Sequence, residues 1–349
     1  MKNQLILSLF FVFFLQCVSA QVDTVRVAVE DDQKAEKFYN EGISFYKQGD
    51  YQSALEKFDV AIREKQDFAL AHYNKGIVLK DMGNNEVAIH AFNMAIELEA
   101  KSDYYLARGQ VNMLLDLLEE ANSDLTKAIE LDQDNEQAYY YRGVSYFLKE
   151  AYDEAITDFN KAIGINSKYA YAFNDRGSAY KMKENYELAE KDYRKALSLD
   201  NNLFFTRANL AALQVKMEKY SEAISNYDLV IQMKPQEAMY YNSRGAAKFE
   251  NGDFKGAIKD YDKAIELNGD YAYAYNNRGN AKFKLKEYDA AIADYNKAIQ
   301  LKSDYGFAYL NRGIAKEMKR DNTGACDDWN KAIENNCEIA KTYISTNCK

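Results

Sequence analysis

The chain has 349 residues, 28% of them charged, a net charge of −9 at neutral pH, 29 tyrosines and a single proline. Its acidic balance excludes a simple nucleic-acid partner, whose phosphates need a basic stripe, and disfavours plain adhesion to anionic lipid. One proline, Pro235, in a chain of this length points to helix nearly throughout.

The first predicted element is not part of a fold. Lys2 precedes an apolar run from Leu5 to Leu15 broken only by Ser8, and Val18-Ser19-Ala20 supplies the small residues at which an export leader is cut. The run is short for a bilayer span, and no later stretch approaches eighteen apolar residues. The reading is an exported soluble protein, periplasmic or secreted, with no direct membrane span, residues 1–20 as signal peptide and 21–34 as linker. A lipid anchor at Cys17 is the alternative; Gln16 stands where a lipidated cysteine usually follows a small residue.

From residue 35 to 337 one pattern of 34 residues recurs nine times. Gly42, Gly76, Gly109, Gly143, Gly177, Gly245, Gly279 and Gly313 fall at steps of 33 or 34, with Ala211 in the missing slot. Twelve residues after each small residue stands an alanine, from Ala54 to Ala325. Seven further stands another, from Ala61 to Ala332, with Val230 once. In the copy at 136–169, Glu136 to Leu148 and Glu154 to Ile165 each carry apolar residues at helical spacing. Other copies mark the turn between the two helices with Gly49-Asp50, Gly83-Asn84 and Gly252-Asp253. Glycine inside a helix costs about 1 kcal/mol against alanine. Its recurrence implies close approach of the second helix, with Ala155 and Ala162 expected to face Gly143.

This period, with small residues at these offsets, closely resembles the tetratricopeptide repeat. The resemblance implies an all-α fold: an α-solenoid, a right-handed superhelix of about nine helix-turn-helix units, with a C-terminal capping helix at 338–349. The units are 35–68, 69–101, 102–135, 136–169, 170–203, 204–237, 238–271, 272–305 and 306–337. The proline usual near the end of such repeats is present only as Pro235. Repeat six departs most, with Ala211 and Val230 both larger than their counterparts, and a local change in helix spacing is expected there.

Charges vary in concert along the array. The residue before each glycine matches one sixteen positions later: Arg108 with Asp124, Arg142 with Asp158, Arg176 with Asp192, Arg244 with Asp260, Arg278 with Asp294 and Arg312 with Asp328. Repeat one reverses the signs, Glu41 with Lys57, and repeat six is uncharged, Leu210 with Asn226. An ion pair inside each repeat follows. Lys75 with Ala91 is the one mismatch, and pairing to the preceding repeat is not favoured because it sets Lys75 against Lys57.

In proteins of this kind the first helices line the inner face of the superhelix and hold the ligand there. Positions two, five, nine and twelve of each repeat are expected to point inward. They include Tyr46, Phe205 and Phe307, and nominate Tyr39, Tyr73, Tyr140, Phe147, Tyr171, Phe249, Tyr273 and Phe283 as aromatic contacts, and Asn174, Asn242, Asn276 and Asn280 as amides. Rings give contact area at little entropic cost, and an amide can both donate to and accept from a peptide backbone. Some rings are expected to be covered by the next repeat. The lysines and arginine with which some members clamp a terminal carboxylate occur in no three successive repeats.

Three cysteines follow the leader region: Cys326, Cys337 and Cys348. If the last second helix ends near Asn335 and a cap runs from Glu338, the chain folds back about Cys337, and Cys326 and Cys348 come side by side. Cys337 lies about 16 Å along a helix axis from either, beyond disulfide reach, and stays free. No catalytic residue, metal site or cofactor is expected: His72 and His90 are the only histidines, and no phosphate loop or nucleophile motif occurs. The function read from the sequence is a non-catalytic scaffold binding a protein or peptide in its groove and assembling an envelope complex. A subunit of an envelope polysaccharide machine and a regulatory accessory to an envelope enzyme are the alternatives; the sequence does not fix an oligomeric state.

Overall fold

The computed structural model describes residues 33–348. The leader, Cys17 and most of the linker lie outside the described residues, among which there are nineteen helices and no strand. The described residues form two compact units, divided between Asn185 and Tyr186. The first holds α1 (Gln33–Lys47) with α2 (Tyr51–Glu64), α3 (Ala69–Asp81) with α4 (Asn85–Leu98), α5 (Ser102–Leu114) with α6 (Leu118–Leu131), α7 (Glu136–Leu148) with α8 (Tyr152–Ile165), and α9 (Ala170–Met182). The second holds α10 (Tyr186–Leu199), α11 (Phe204–Lys216) with α12 (Tyr220–Met233), α13 (Ala238–Glu250) with α14 (Phe254–Leu267), α15 (Ala272–Lys284) with α16 (Tyr288–Leu301), α17 (Gly306–Met318) with α18 (Asn322–Glu334), and α19 (Ala340–Asn347). The fold is all-α, a solenoid of helix pairs. Inside each unit every helix packs on its predecessor and successor, and the contacts that skip an element join successive first helices, such as α5 to α7 and α13 to α15. First helices therefore form the tighter side of each stack and second helices the wider.

The glycine notch holds a ring. A methyl group on Gly143 would stand 2.8 Å from the Phe159 ring, with the Ala155 carbonyl oxygen at 3.3 Å. Ala155 faces the glycine as expected, but the side chain that fills the notch is the one sixteen positions on, which sequence reasoning did not name. The same ring sits over Gly42 (Phe58), Gly76 (Phe92), Gly245 (Tyr261), Gly279 (Tyr295) and Gly313 (Trp329), whereas Gly109 meets Leu125. These large side chains are almost fully buried, from 0 to 2% exposed. Tyr227, opposite Ala211 in repeat six, is 5% exposed. A methyl in the notch is accommodated there by a slightly less buried ring.

The paired charges form buried rungs. In repeats three, four, seven, eight and nine the guanidinium meets its aspartate with two parallel bonds; Arg142 donates to Asp158 from Nε at 2.7 Å and from Nη2 at 2.9 Å. The aspartates Asp124, Asp158, Asp260, Asp294 and Asp328 are 3–5% exposed. In repeat one Lys57 meets Glu41 at 2.5 Å. Each arginine also reaches back. Its Nη1 donates to the preceding second helix: Arg108 to Asn93, Arg142 to Thr126, Arg176 to Asn160, Arg244 to Asp228, Arg278 to Asp262 and Arg312 to Asn296. Lys75, unmatched inside its own repeat, makes the same backward reach to Asp59 at 2.6 Å, not to Lys57. Arg176 and Asp192 fall one in each unit. Repeat six has no such rung: Leu210 is buried, and Asn226 instead donates to Gln214 and accepts from Arg207.

Every first helix ends the same way. Residue fifteen of each repeat has positive φ, as glycine at Gly49, Gly83 and Gly252, but as Asp116, Glu150, Glu184, Glu218, Lys286 and Arg320 elsewhere. The next amide returns to a carbonyl five residues back, as Ala151 does to Tyr146 at 2.9 Å. This is the Schellman closure, which satisfies the terminal carbonyls. At the C-terminal end, α19 packs Tyr343 on Trp329 with centroids 5.2 Å apart, Cys326 and Cys348 lie side by side with Cα atoms 5.8 Å apart, and Cys337 is buried.

Candidate functional site

The first-helix side of each unit is built from positions two, five, six, nine and twelve of its repeats. Position five turns out to be a joint. Its side chain reaches position six of the next repeat, thirty-five residues on: Asn74 donates to the Tyr39 hydroxyl at 2.9 Å, and the Tyr140 hydroxyl donates to Asp175 at 2.7 Å. In the second unit Asn277 donates to Asn242 and Asn311 to Asn276, both at 3.0 Å. The position-five rings also close on position thirty-four, Tyr39 on Phe68 at 5.1 Å and Tyr140 on Tyr169 at 4.8 Å. Tyr39 and Tyr140 are consequently buried, and so are Asn174 and Asn276, each 4% exposed. These four nominated residues lie beneath the face; the next repeat covers Tyr39, Tyr140 and Asn276.

Position twelve is partly a clasp. Phe147 packs on Tyr152, Phe249 on Phe254 and Phe283 on Tyr288, with centroids 5.3–5.4 Å apart. Each ring closes over the turn of its own repeat. Phe147 is buried, whereas Phe249 and Phe283 are half-buried. Tyr73 is half-buried and stacks on Tyr104 at 4.7 Å. Asn280 is half-buried and accepts from the Tyr295 hydroxyl at 2.8 Å. Tyr171 and Asn242 are half-buried as well.

Position two is where rings emerge. Tyr273 is 47% and Phe307 53% exposed. Tyr273 meets Tyr305 at 5.0 Å and Tyr271 at 6.3 Å, so an aromatic patch forms on the first-helix side of the second unit. Tyr271 and Tyr305 were not nominated. The signal was present, since Phe68, Tyr169, Tyr271 and Tyr305 all occupy position thirty-four.

Asp175 is the other residue missed. Its carboxyl is enclosed, accepting from Tyr140 and from Asn174 Nδ2 at 2.8 Å. Burial pushes it up to about 6 and outweighs the two bonds, which act the other way. The same enclosure drives the Tyr140 phenol well above its usual range. Arginines contribute little to this face, because their guanidinium groups are spent on the rungs and lie over ring faces, as Arg278 does over Tyr275 at 5.3 Å. Among the described residues no helix is long and apolar enough to cross a membrane.

Models of the tetratricopeptide repeat match residues 136–169, 170–203 and 272–305, residues 39–104 and 209–266, and residues 102–135, and a TPR repeat model matches 247–286. Among solved structures, MamA is 29% identical over 47% of this chain and 96% of its own, with a TM-score of 0.43. YrrB, titled a TPR protein with an unusual peptide-binding site, is 27% identical over 53% of this chain and 95% of its own, with a TM-score of 0.47. PilF of Pseudomonas aeruginosa is 18% identical over 63% of this chain and 97% of its own, with a TM-score of 0.52. No curated protein is similar to the chain at a significant level.

Proposed function

We propose that this chain, which belongs to the tetratricopeptide repeat family, is an exported, non-catalytic scaffold that holds a protein or peptide partner on its first-helix face and helps assemble a complex of the cell envelope. The observation that carries the reading is the contrast between the two kinds of polar group. The charged groups at the helix-pair seams are consumed by internal rungs. The first-helix face keeps half-exposed rings and amides that suit contact with another chain. Export rests on the leader alone.

The nominated contacts narrow under this reading. Tyr39, Tyr140, Phe147, Asn174 and Asn276 shape the face from below. Tyr73, Tyr171, Asn242, Phe249, Tyr273, Asn280, Phe283 and Phe307 remain as contacts. The sugar-binding alternative loses its best platform, since Trp329 is fully buried under the cap.

The test is capture from an envelope extract by the full chain and by a variant carrying Tyr171→Ala, Phe249→Ala, Tyr273→Ala and Phe307→Ala. A few aromatic anchors usually dominate a binding surface, so the variant should lose its specific partner while its far-UV dichroism stays helical. A partner captured equally by both would move the site to the second-helix side. A chain found only in the cytoplasmic fraction of its own cells would remove the envelope role.

A further inference from the structure

At positions two, five, six and nine the first-helix face of repeats six to nine carries no charge, and at position twelve Glu317 is its one charged residue. Positions two, five, six and nine read Phe205, Ala208, Asn209, Ala212; then Met239, Asn242, Ser243, Ala246; then Tyr273, Asn276, Asn277, Asn280; then Phe307, Leu310, Asn311, Ile314. None of the sixteen is charged at neutral pH, in a chain that is 28% charged. In repeats one to five the same positions include three acids, Glu36, Asp103 and Asp175, and no base. Most of the sixteen are half-exposed, and two of the rings are among the most exposed large apolar side chains described. Low charge here is therefore not explained by burial.

Two rows run along this face. Position two supplies four large apolar side chains, one per repeat. Beside it runs a row of amides in which Asn277 donates to Asn242, Asn276 donates to Asn277, and Asn311 donates to Asn276. A side-chain amide has two hydrogens to donate and two lone pairs. These bonds use one hydrogen and one lone pair of Asn277, so the other donor and acceptor remain for a peptide unit.

Geometry sets the form of the ligand. Packed helices lie at roughly 10 Å, and we take that spacing of neighbouring first helices as the step between successive position-two side chains. A polyproline-II segment rises about 3.1 Å per residue with three residues per turn, so one face recurs every ~9 Å. A β-strand repeats its face every ~7 Å and drifts out of step. A polyproline-II backbone makes no internal hydrogen bonds, and the amide row can serve it. A charged side chain laid against sixteen uncharged neighbours would lose water without gaining a counterion, which is costly.

We infer that repeats six to nine take an uncharged peptide segment in polyproline-II form, about ten residues long, with an apolar side chain at every third position meeting Phe205, Met239, Tyr273 and Phe307. This rests on the peptide-binding reading above and specifies its ligand class. The probe is a phage-displayed library of random dodecapeptides, panned on the full chain and counter-selected on a Tyr273→Ala, Phe307→Ala, Asn277→Ala variant of unchanged helicity. Retained sequences should lack Asp, Glu, Lys and Arg through their central nine residues and repeat an apolar residue every third position. The Kd of a synthetic copy should change less than twofold between 50 and 500 mM NaCl. Sequences that need Tyr273, Phe307 and Asn277 but carry charge at fixed places, or weaken steeply with salt, would overturn the ligand class and leave the peptide-binding reading intact. A library from which nothing is retained through these three residues would overturn both.

Discussion

Arg142→Leu is the most direct probe of the rungs. The Asp158 carboxylate is 3% exposed and holds both parallel bonds of the guanidinium. Removing one member of a buried pair leaves a charge without water or partner and costs ~3–5 kcal/mol. The lost bond from Nη1 to Thr126 at 3.1 Å adds roughly 1 kcal/mol. A total of ~4–6 kcal/mol is expected. Adding Asp158→Asn copies the combination the chain already carries as Leu210 and Asn226. It removes the stranded charge and should recover at least ~2 kcal/mol. Recovery should be incomplete, because Asn226 donates to Gln214, whereas repeat four has Tyr146 at the matching position. The two single variants and the double variant form a cycle whose coupling should reach about 2 kcal/mol. Urea unfolding followed by far-UV dichroism measures it. Hydrogen exchange across α7 and α8 is needed beside it, since an array of repeats need not unfold in one step. Losses that simply add, with coupling under about 0.5 kcal/mol, would refute the reasoning: the paired residues would then be a relic of duplication.

Other consequences are as direct. Gly143→Val should destabilise by ~1–3 kcal/mol through overpacking against Phe159, and Phe159→Leu in the same chain should recover part of it, since Leu125 serves over Gly109; no loss in a thermal melt would dismiss the notch. Glu150→Gly should raise the urea midpoint by up to ~1 kcal/mol of stability, because a left-handed backbone is costly for a residue with a Cβ; an unchanged or lower midpoint counts against it. Asp175, raised to about 6, contributes stability in full below its ordinary 3.8 and loses it as pH rises through 6. Asp175→Asn should therefore be more stable than the parent at pH 7, by up to ~3 kcal/mol, with the difference shrinking towards pH 4; a difference independent of pH contradicts the enclosed carboxyl. Protein purified from the envelope should contain a Cys326–Cys348 link and one thiol, Cys337, that reacts only after denaturation; peptide mapping that finds Cys337 linked would rule out the fold-back of the cap.

The helix pairs were legible because the small residues recur at fixed offsets, and those offsets are themselves the packing. The rungs were legible because type varied in concert, even where the sign reversed. The backward reach of each guanidinium was not. A donor shared between a carboxylate and a neighbour that may be Thr126, Asn160 or Asp228 leaves no single pattern in type. The left-handed turn residue was visible only in the three copies that use glycine. In the other six, hydrogen bonds and packing impose it on residues that do not advertise it. The face was read too generously for a related reason: helical position says which way Tyr140 leaves its helix, but Tyr169 at the end of the same repeat and Asp175 in the next one decide that it is covered.

The backward reach also bears on how such a chain can lengthen or shorten by recombination. In repeats one to four and six to eight position twenty-five is the acceptor for the next repeat's cation, and across the array it is Asp, Asn or Thr at every copy but one. Excising 136–169 would bring Arg176 to Thr126 in place of Asn160, an arrangement already used by Arg142. Excising 204–237 is different. Arg244 would lose Asp228 and meet Arg194, which now faces Glu222 at 2.7 Å in the very segment removed. Repeat six, with Leu210 in place of an arginine, is the adaptor that lets a cation stand at position twenty-five of repeat five. The most divergent copy is thus the one that cannot be dropped in register, and most of the others are interchangeable modules.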